Sequence, residues 1–240
     1  MISVIIPTLR ERRLIEQALR QFDDEIRTKY DIEIIVSDGG SDDGTVQIAN
    51  ELADNVVIYN GEARQTIAGG RNAGAAEAKG DLLFFLNADT LIDEPARFFE
   101  SILKIMSDPK VLALTCYVGI YPDEEKLSDK IFHGFCNRFF DLVNAVGIGM
   151  GRGECHVIRR TVFEDIGQYN SVLVAGEDFD LYSRIRRKGK ITFMRDHYVY
   201  ESPRRYRRYG YHRVAIDWFI NAISVKLFKR SVINEWKPIR

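Results

Sequence analysis

The turn Asn87-Ala88-Asp89 closes an apolar run, Phe84-Phe85-Leu86, that reads as a buried strand. A carboxylate at a strand's carboxyl end suits a divalent cation that keeps its other positions for substrate phosphates. Asp89 is the stronger ligand because it is charged, whereas Asn87 neutralises nothing. A strand-end turn, or a cap for a helix starting at Pro95, accounts for the same residues. A second cluster, Gly176-Glu177-Asp178-Phe179-Asp180, puts three acids at a helix start. Such acids can simply cap the helix. Alternatively, one of them held near a hydroxyl is a general base for group transfer. A third cluster joins Pro7-Thr8-Leu9-Arg10 to Asp38-Gly39, each following a strand. A carboxylate there can accept from a base N–H or a ribose hydroxyl, although Asp before Gly-Gly is also a turn residue. The fourth is His197 with Arg204, Arg205, Arg207 and Arg208. Histidine can complete a metal site begun by a carboxylate, and arginines can hold a leaving diphosphate. Equally, His197 can be a structural strand residue.

The elements that must position these groups alternate. Apolar, β-branched runs at residues 2–6, 32–36, 56–59 and 81–86 predict strands. Between them, residues 11–22, 43–52 and 69–78 predict helices. This order implies right-handed βαβ units and a mostly parallel sheet. Small residues (Ala73, Gly74, Ala75, Ala76, Ala78) let the third helix approach a sheet or a ligand closely. Gly69-Gly70 ahead of Arg71 favours an anion, since exposed backbone N–H groups and a guanidinium fork both suit phosphate. Beyond residue 90 the pattern predicts helices at 95–106, 161–166 and 177–187, with strands at 111–118, 155–158, 191–194 and 198–200. Residues 120–150 show no clean period and read as a partly helical cover over the site. A last helix is expected over 211–229.

With 240 residues, 45% hydrophobic and 29% charged, the chain can bury one sizeable core. Cys116, Cys136 and Cys155 are odd in number and unpaired in spacing, which argues for a reducing compartment, and a cytoplasmic protein is expected. No basic region precedes the strand at Ile2, so no secretory signal is expected. Nor does any apolar stretch reach the roughly 18 residues of a membrane span. Residues 1–194 hold 23 Lys/Arg against 31 Asp/Glu, a balance of −8, whereas residues 195–240 hold 11 against 4, a balance of +7. A polarised chain of this kind aims its basic end at an anion, unless its arginines pair with the acidic body.

In this order the clusters resemble the family 2 glycosyltransferases of the GT-A fold. The matching pieces are Val4-Ile5-Ile6-Pro7-Thr8, Ile35-Val36-Ser37-Asp38-Gly39-Gly40-Ser41-Asp42-Asp43-Gly44-Thr45, Arg71-Asn72-Ala73-Gly74, Phe85-Leu86-Asn87-Ala88-Asp89-Thr90 and Gly176-Glu177-Asp178-Phe179-Asp180-Leu181. The resemblance implies inverting transfer of a sugar from a nucleoside-diphosphate donor to a hydroxyl on a glycan or lipid-linked acceptor. It favours a UDP-sugar and leaves a GDP-sugar open, and it involves no nucleic acid. Pro7, Thr8, Asp38, Gly39, Arg71 and Asn87 would lie along the donor nucleotide, with Asp38 reading the base. Asn87 and Asp89 occupy the Asp-x-Asp position, so Asp89 would bind Mg2+ or Mn2+ with Asn87 beside it. His197 would be a third metal contact. Arg204, Arg205 and Arg207 would hold the diphosphate. Asp178 would be the base, with Glu177 as acceptor holder or as base in its place. Residues 1–200 would form the transferase domain, split at residue 90 into nucleotide and acceptor halves, and 201–240 a basic, aromatic extension.

Two departures stand out. Asn87 replaces an acid, and Leu9-Arg10 replaces a small polar pair. The chain also lacks Gln-x-x-Arg-Trp, which argues against a processive synthase. The competing classes are a nucleotidyltransferase, which should carry a glycine-rich loop after the first strand, and a non-catalytic nucleotide-sugar binder, which should lack Asp89 or Asp178. The helix over 211–229 mixes Trp218, Phe219 and Phe228 with Arg213 and Lys226. It suits a membrane surface, packing on the domain, or a homodimer.

Overall fold

A computed structural model describes residues 1–233 and 239, so the end of the expected extension (residues 234–238 and 240) lies outside the described residues. The first half follows the expected alternation. Strand β1 (Ile2–Thr8) leads to α1 (Arg12–Arg20) and α2 (Asp24–Tyr30), then β2 (Ile32–Asp38), α3 (Thr45–Leu52), β3 (Asn55–Ile58), α4 (Ile67–Glu77) and β4 (Leu82–Leu86). The second half continues through β5 (Thr90–Ile92), α5 (Pro95–Met106), β6 (Val111–Ile120), α6 (Leu127–Ala145), β7 (Cys155–Arg159), α7 (Arg160–Asp165), α8 (Glu177–Lys188), β8 (Lys190–Glu201), α9 (Arg204–Tyr209) and α10 (Tyr211–Phe228).

Among the described residues, eight strands form one sheet in the order β3-β2-β1-β4-β7-β6-β8-β5. Strands β1 to β4 pair in parallel, as the buried β-branched runs require. The antiparallel strand β7 joins this half to β6. Successive residues of β1 and β4 point to opposite faces, and both faces are covered. Val4, Ile6, Phe84 and Leu86 pack with Phe98 and Phe99 of α5. Ile5 and Phe85 pack with Ala75 of α4 and Leu181 of α8. Gly74 explains the small residues of α4, because a Cβ there would lie 2.6 Å from Ile5 Cγ2. Close packing on the sheet is therefore what that glycine serves.

Four local differences have physical causes. Helix α2 is short, and Asp23 caps it by accepting from the Ile26 amide at 2.9 Å. Strand β5 is three residues long and exists by pairing antiparallel with β8. The two short strands expected at 191–194 and 198–200 are one strand, β8, interrupted by a bulge. Cys116 pairs with Met194 and the next residue, Tyr117, with Tyr198, which leaves Arg195, Asp196 and His197 in the bulge. Finally, α6 is a regular 19-residue helix where no clean period was legible.

Candidate active site

A cavity of about 690 Å³ opens at the carboxyl ends of β1, β2 and β4. It is lined by Pro7, Thr8, Gly39, Arg71, Asn87 and Asp89 from the first 90 residues. Glu177 and Asp178, at the first turn of α8, line the same cavity. Two acids that lie 89 positions apart in the sequence thus face one space. A parallel α/β sheet makes such a crevice beyond its strand ends.

Arg71 ties the end of β4 to the start of α8. Although it is only 1% exposed, its guanidinium is well used. Nη1 donates to Glu177 Oε1 at 2.9 Å, and Nη2 donates to Asn87 Oδ1 at 3.0 Å and to the Gly153 carbonyl at 2.7 Å. The Tyr169 ring lies 5.2 Å away. Arg71 therefore sits mid-helix as an internal clamp. Asn87 Oδ1 turns to this arginine, and the structure gives no support to Asn87 as a metal ligand.

Glu177 and Asp178 differ in their surroundings. Burial lifts the Glu177 carboxyl above its ordinary range, and Arg71 opposes that rise. Asp178 is half-buried, and its Oδ1 accepts from the Phe179 amide at 2.8 Å. Burial, and then the neighbouring Glu177 charge, raise its carboxyl to about 8. The third acid, Asp180, is held in ion pairs with Arg184 and Lys229. Gly176 begins α8 at φ +82°, where a Cβ would lie 3.1 Å from Val225 Cγ2 of α10. The acids are thus set in place by a backbone turn that suits glycine and by the helix packed against it.

Asp89 Oδ2 accepts from Arg204 Nη2 at 3.0 Å, and the same nitrogen lies 2.8 Å from Glu11 Oε2. Two carboxylates therefore converge on one cationic group. Hard oxygen donors of this kind suit a divalent cation such as Mg2+ or Mn2+, and among the described residues no group of three or more His, Cys, Asp or Glu side chains is gathered for one. Arg205 also lines the cavity. Deeper in the wall, Arg152 Nη2 donates to Glu201 Oε1 at 2.6 Å, while its Nε lies 3.4 Å from Glu154 Oε2. Burial, and then Glu154, lift the Glu201 carboxyl well above its usual range.

Three expected site residues lie elsewhere. Asp38 is fully buried and absent from the cavity wall. Its carboxylate accepts from Thr8 Oγ1 at 2.8 Å, from the Gly40 and Ser41 amides at 2.9 and 2.6 Å, and from Ser41 Oγ at 2.6 Å. It shapes the loop. His197, in the β8 bulge, bonds Ser101 Oγ at 2.9 Å and packs edge-on against Phe98 of α5. This is the strand-residue alternative, and a metal role there is withdrawn. Arg207 Nη1 donates to Asp129 Oδ1 at 2.9 Å and to the Tyr211 hydroxyl at 2.7 Å. It ties α9 to α6 outside the cavity wall, so a diphosphate role is withdrawn as well.

Sequence reading missed Glu11, Arg152, Glu154 and Glu201. Glu11 was legible as an acid just past the first strand's carboxyl end. The pair Arg152 and Glu154 was legible as charge directly before the apolar strand Cys155–Ile158.

The glycosyl transferase family 2 model matches residues 3–167. The chain belongs to this family. The match ends before Glu177 and Asp178, so the acids of α8 rest on the geometry above. Glycosyltransferase AglE of Haloferax volcanii is 26% identical over 201 residues, which are 81% of this chain and 64% of that protein. Among solved structures, the mannosyltransferase PcManGT from Pyrobaculum calidifontis, in complex with GDP-Man and Mn2+, superposes with a TM-score of 0.72. It is 22% identical, over 94% of this chain and 64% of that one. S. aureus TarS 1-349 in complex with UDP-GlcNAc gives a TM-score of 0.60 at 16% identity, over 82% and 57% of the two chains. These likenesses establish the fold, a GT-A-like sheet flanked by helices. The chain spans about two thirds or less of the length of each of these proteins.

Proposed function

We propose that this chain moves a sugar from a nucleoside-diphosphate sugar to an acceptor hydroxyl with inversion at the anomeric carbon. The observation that carries this reading is the shared cavity of Asp89 and Asp178. In this reading Asp89 serves the phosphates and Asp178 the acceptor. The acceptor oxygen attacks the anomeric carbon as the bond to the diphosphate breaks, and its proton passes to the Asp178 carboxylate. Glu177, already bonded to Arg71, orients that turn and leaves Asp178 as the base.

Asp89 and Glu11 would hold the divalent cation, with Mg2+ and Mn2+ both suited. When bound, it supplies positive charge to the departing diphosphate. Arg204 and Arg205 bind that same anion from the cavity wall. Pro7, Thr8 and Gly39 line the nucleoside side, while Asp38 fixes their loop. UDP- and GDP-sugars both belong in the donor screen, since TarS and PcManGT are solved with one each.

The test is release of nucleoside diphosphate from UDP- and GDP-sugars with Mg2+ or Mn2+. Metal-dependent release that falls at least about tenfold in Asp89→Ala is expected, one placed charge contact being worth that much or more. Pyrophosphate release would instead indicate nucleotidyl transfer, and binding without turnover a non-catalytic protein.

A further inference from the structure

Helices α6 and α10 expose the wrong residues for an aqueous surface. On α6, Leu127, Ile131, Phe135 and Leu142 are between 62% and 73% exposed. On α10, Ile216, Phe219, Ile223 and Leu227 are between 43% and 66% exposed. The inward side of α10 meanwhile buries polar groups. Asn221 donates to the Asp217 carbonyl, and Ser224 to the Arg230 carbonyl. The same side also buries Val214 and Val225.

The helices that carry the two stripes adjoin at their starts: Ser128 lies 3.2 Å from Tyr211, and Phe132 packs on both Tyr211 and Trp218. Basic residues accompany them: exposed Arg138 lies within the α6 stripe, and exposed Arg213 and Lys226 flank the α10 stripe. Neither stripe carries an acid.

We propose that this two-helix face docks on an anionic membrane surface, with the apolar side chains at the acyl boundary and the basic ones among the headgroups. Apolar residues alone would suit a second copy of the chain equally well. The arginines and lysines decide for an anionic partner, because two such faces brought together would set like charges against each other. The docking is peripheral, since no helix among the described residues is long and apolar enough to cross a membrane. The opposite sides of the same helices, through Phe140, Trp218 and Asn221, line the cavity. If sugar transfer is the activity, as proposed above, this placement suits an acceptor hydroxyl carried on a lipid.

Flotation on phosphatidylcholine vesicles with and without phosphatidylglycerol tests the docking apart from any activity. The protein should float with the anionic vesicles, and much less with neutral ones. The fourfold variant I131S/F135S/F219S/I223S should stay in the soluble fraction, with unchanged donor hydrolysis and thermal midpoint. The variant R138E/R213E/K226E should lose flotation on anionic vesicles. Wild-type protein that stays soluble overturns the proposal. So does flotation that survives the fourfold variant. A dimer in sedimentation that the fourfold variant dissolves, with no flotation, overturns it in favour of a second copy. Flotation without any donor hydrolysis would leave the docking standing and remove only the sugar-transfer reading.

Discussion

At the end of β2, the Asp38 carboxylate is surrounded by donors from Thr8, Gly40 and Ser41. At the start of α8, Asp178 accepts from the Phe179 amide and lies beside the charge of Glu177. One acid ends a strand and the other begins a helix, and they teach opposite lessons. The end of β2 spends its polar groups on shaping its own loop. The start of α8 keeps an acidic pair, Glu177 buried and Asp178 half-buried, whose carboxyls are raised by burial and proximity, a cost in stability that leaves a group suited to proton transfer near neutral pH. Arg71 joins the end of β4 to the start of α8, as it bonds Asn87 on one side and Glu177 on the other.

Asp178→Asn should break this contrast most severely. It keeps shape and size but cannot take a proton. Turnover should fall by about 10²–10⁴-fold with donor affinity little changed, as measured by transfer kinetics and calorimetric titration of the donor. Equal loss of affinity and turnover would place Asp178 on the donor side.

Arg71→Met comes next, and its readout is stability. Removing one partner of a buried ion pair strands the other charge, at about 3–5 kcal/mol. Denaturant unfolding measures it. A loss under 1 kcal/mol would mean that Glu177 takes up a proton on losing its partner and needs no clamp.

The fold was more legible than the site, for reasons visible in particular residues. β1 and β4 are continuous apolar runs buried on both faces, and such runs announce themselves. α6 did not, because Leu127, Ile131 and Phe135 face outward and erase the polar half of the helical pattern. Asp89, Glu177 and Asp178 were legible as acids at a strand end and a helix start, and the fold brings them to one cavity. Asp38 and His197 were read from their residue types with a turn and a strand residue as the alternatives, and their bonds to Thr8 and Ser101 depend on chain segments about 30 and 96 positions away. Glu11, Arg152, Glu154 and Glu201 needed the tertiary structure for the same reason, since only folding brings Glu11 and Asp89 to Arg204.

A pH series sharpens the contrast through two opposite signs. The folded Asp178 carboxyl lies at about 8, against an ordinary value of 3.8. The folded state therefore holds this proton more tightly than the unfolded chain does. Its stabilising contribution is full below 3.8 and is lost as pH rises through about 8. Asp178→Asn stays neutral throughout, so its stability should decline less over that window. Activity runs the other way, because the base must be unprotonated, and kcat/KM should climb towards pH 8. A flat kcat/KM profile over the same window would remove Asp178 from the proton transfer.

The smallest effect belongs to the nucleotide-side surface. Arg10 grips Asp42 in a two-pronged pair at 2.7 and 2.8 Å, but the side chains are 56% and 67% exposed. Water and salt screen such a pair, so Asp42→Asn should cost less than about 1 kcal/mol, and added salt should erase most of it. The Arg71–Glu177 contact is a single bond of similar length, 2.9 Å, but it is buried. Burial, with the further bonds of Arg71 to Asn87 and the Gly153 carbonyl, separates the two expectations. If both substitutions cost the same in denaturant unfolding, solvent exclusion is not what makes Arg71 matter, and the difference between the two sides of the cavity disappears with it.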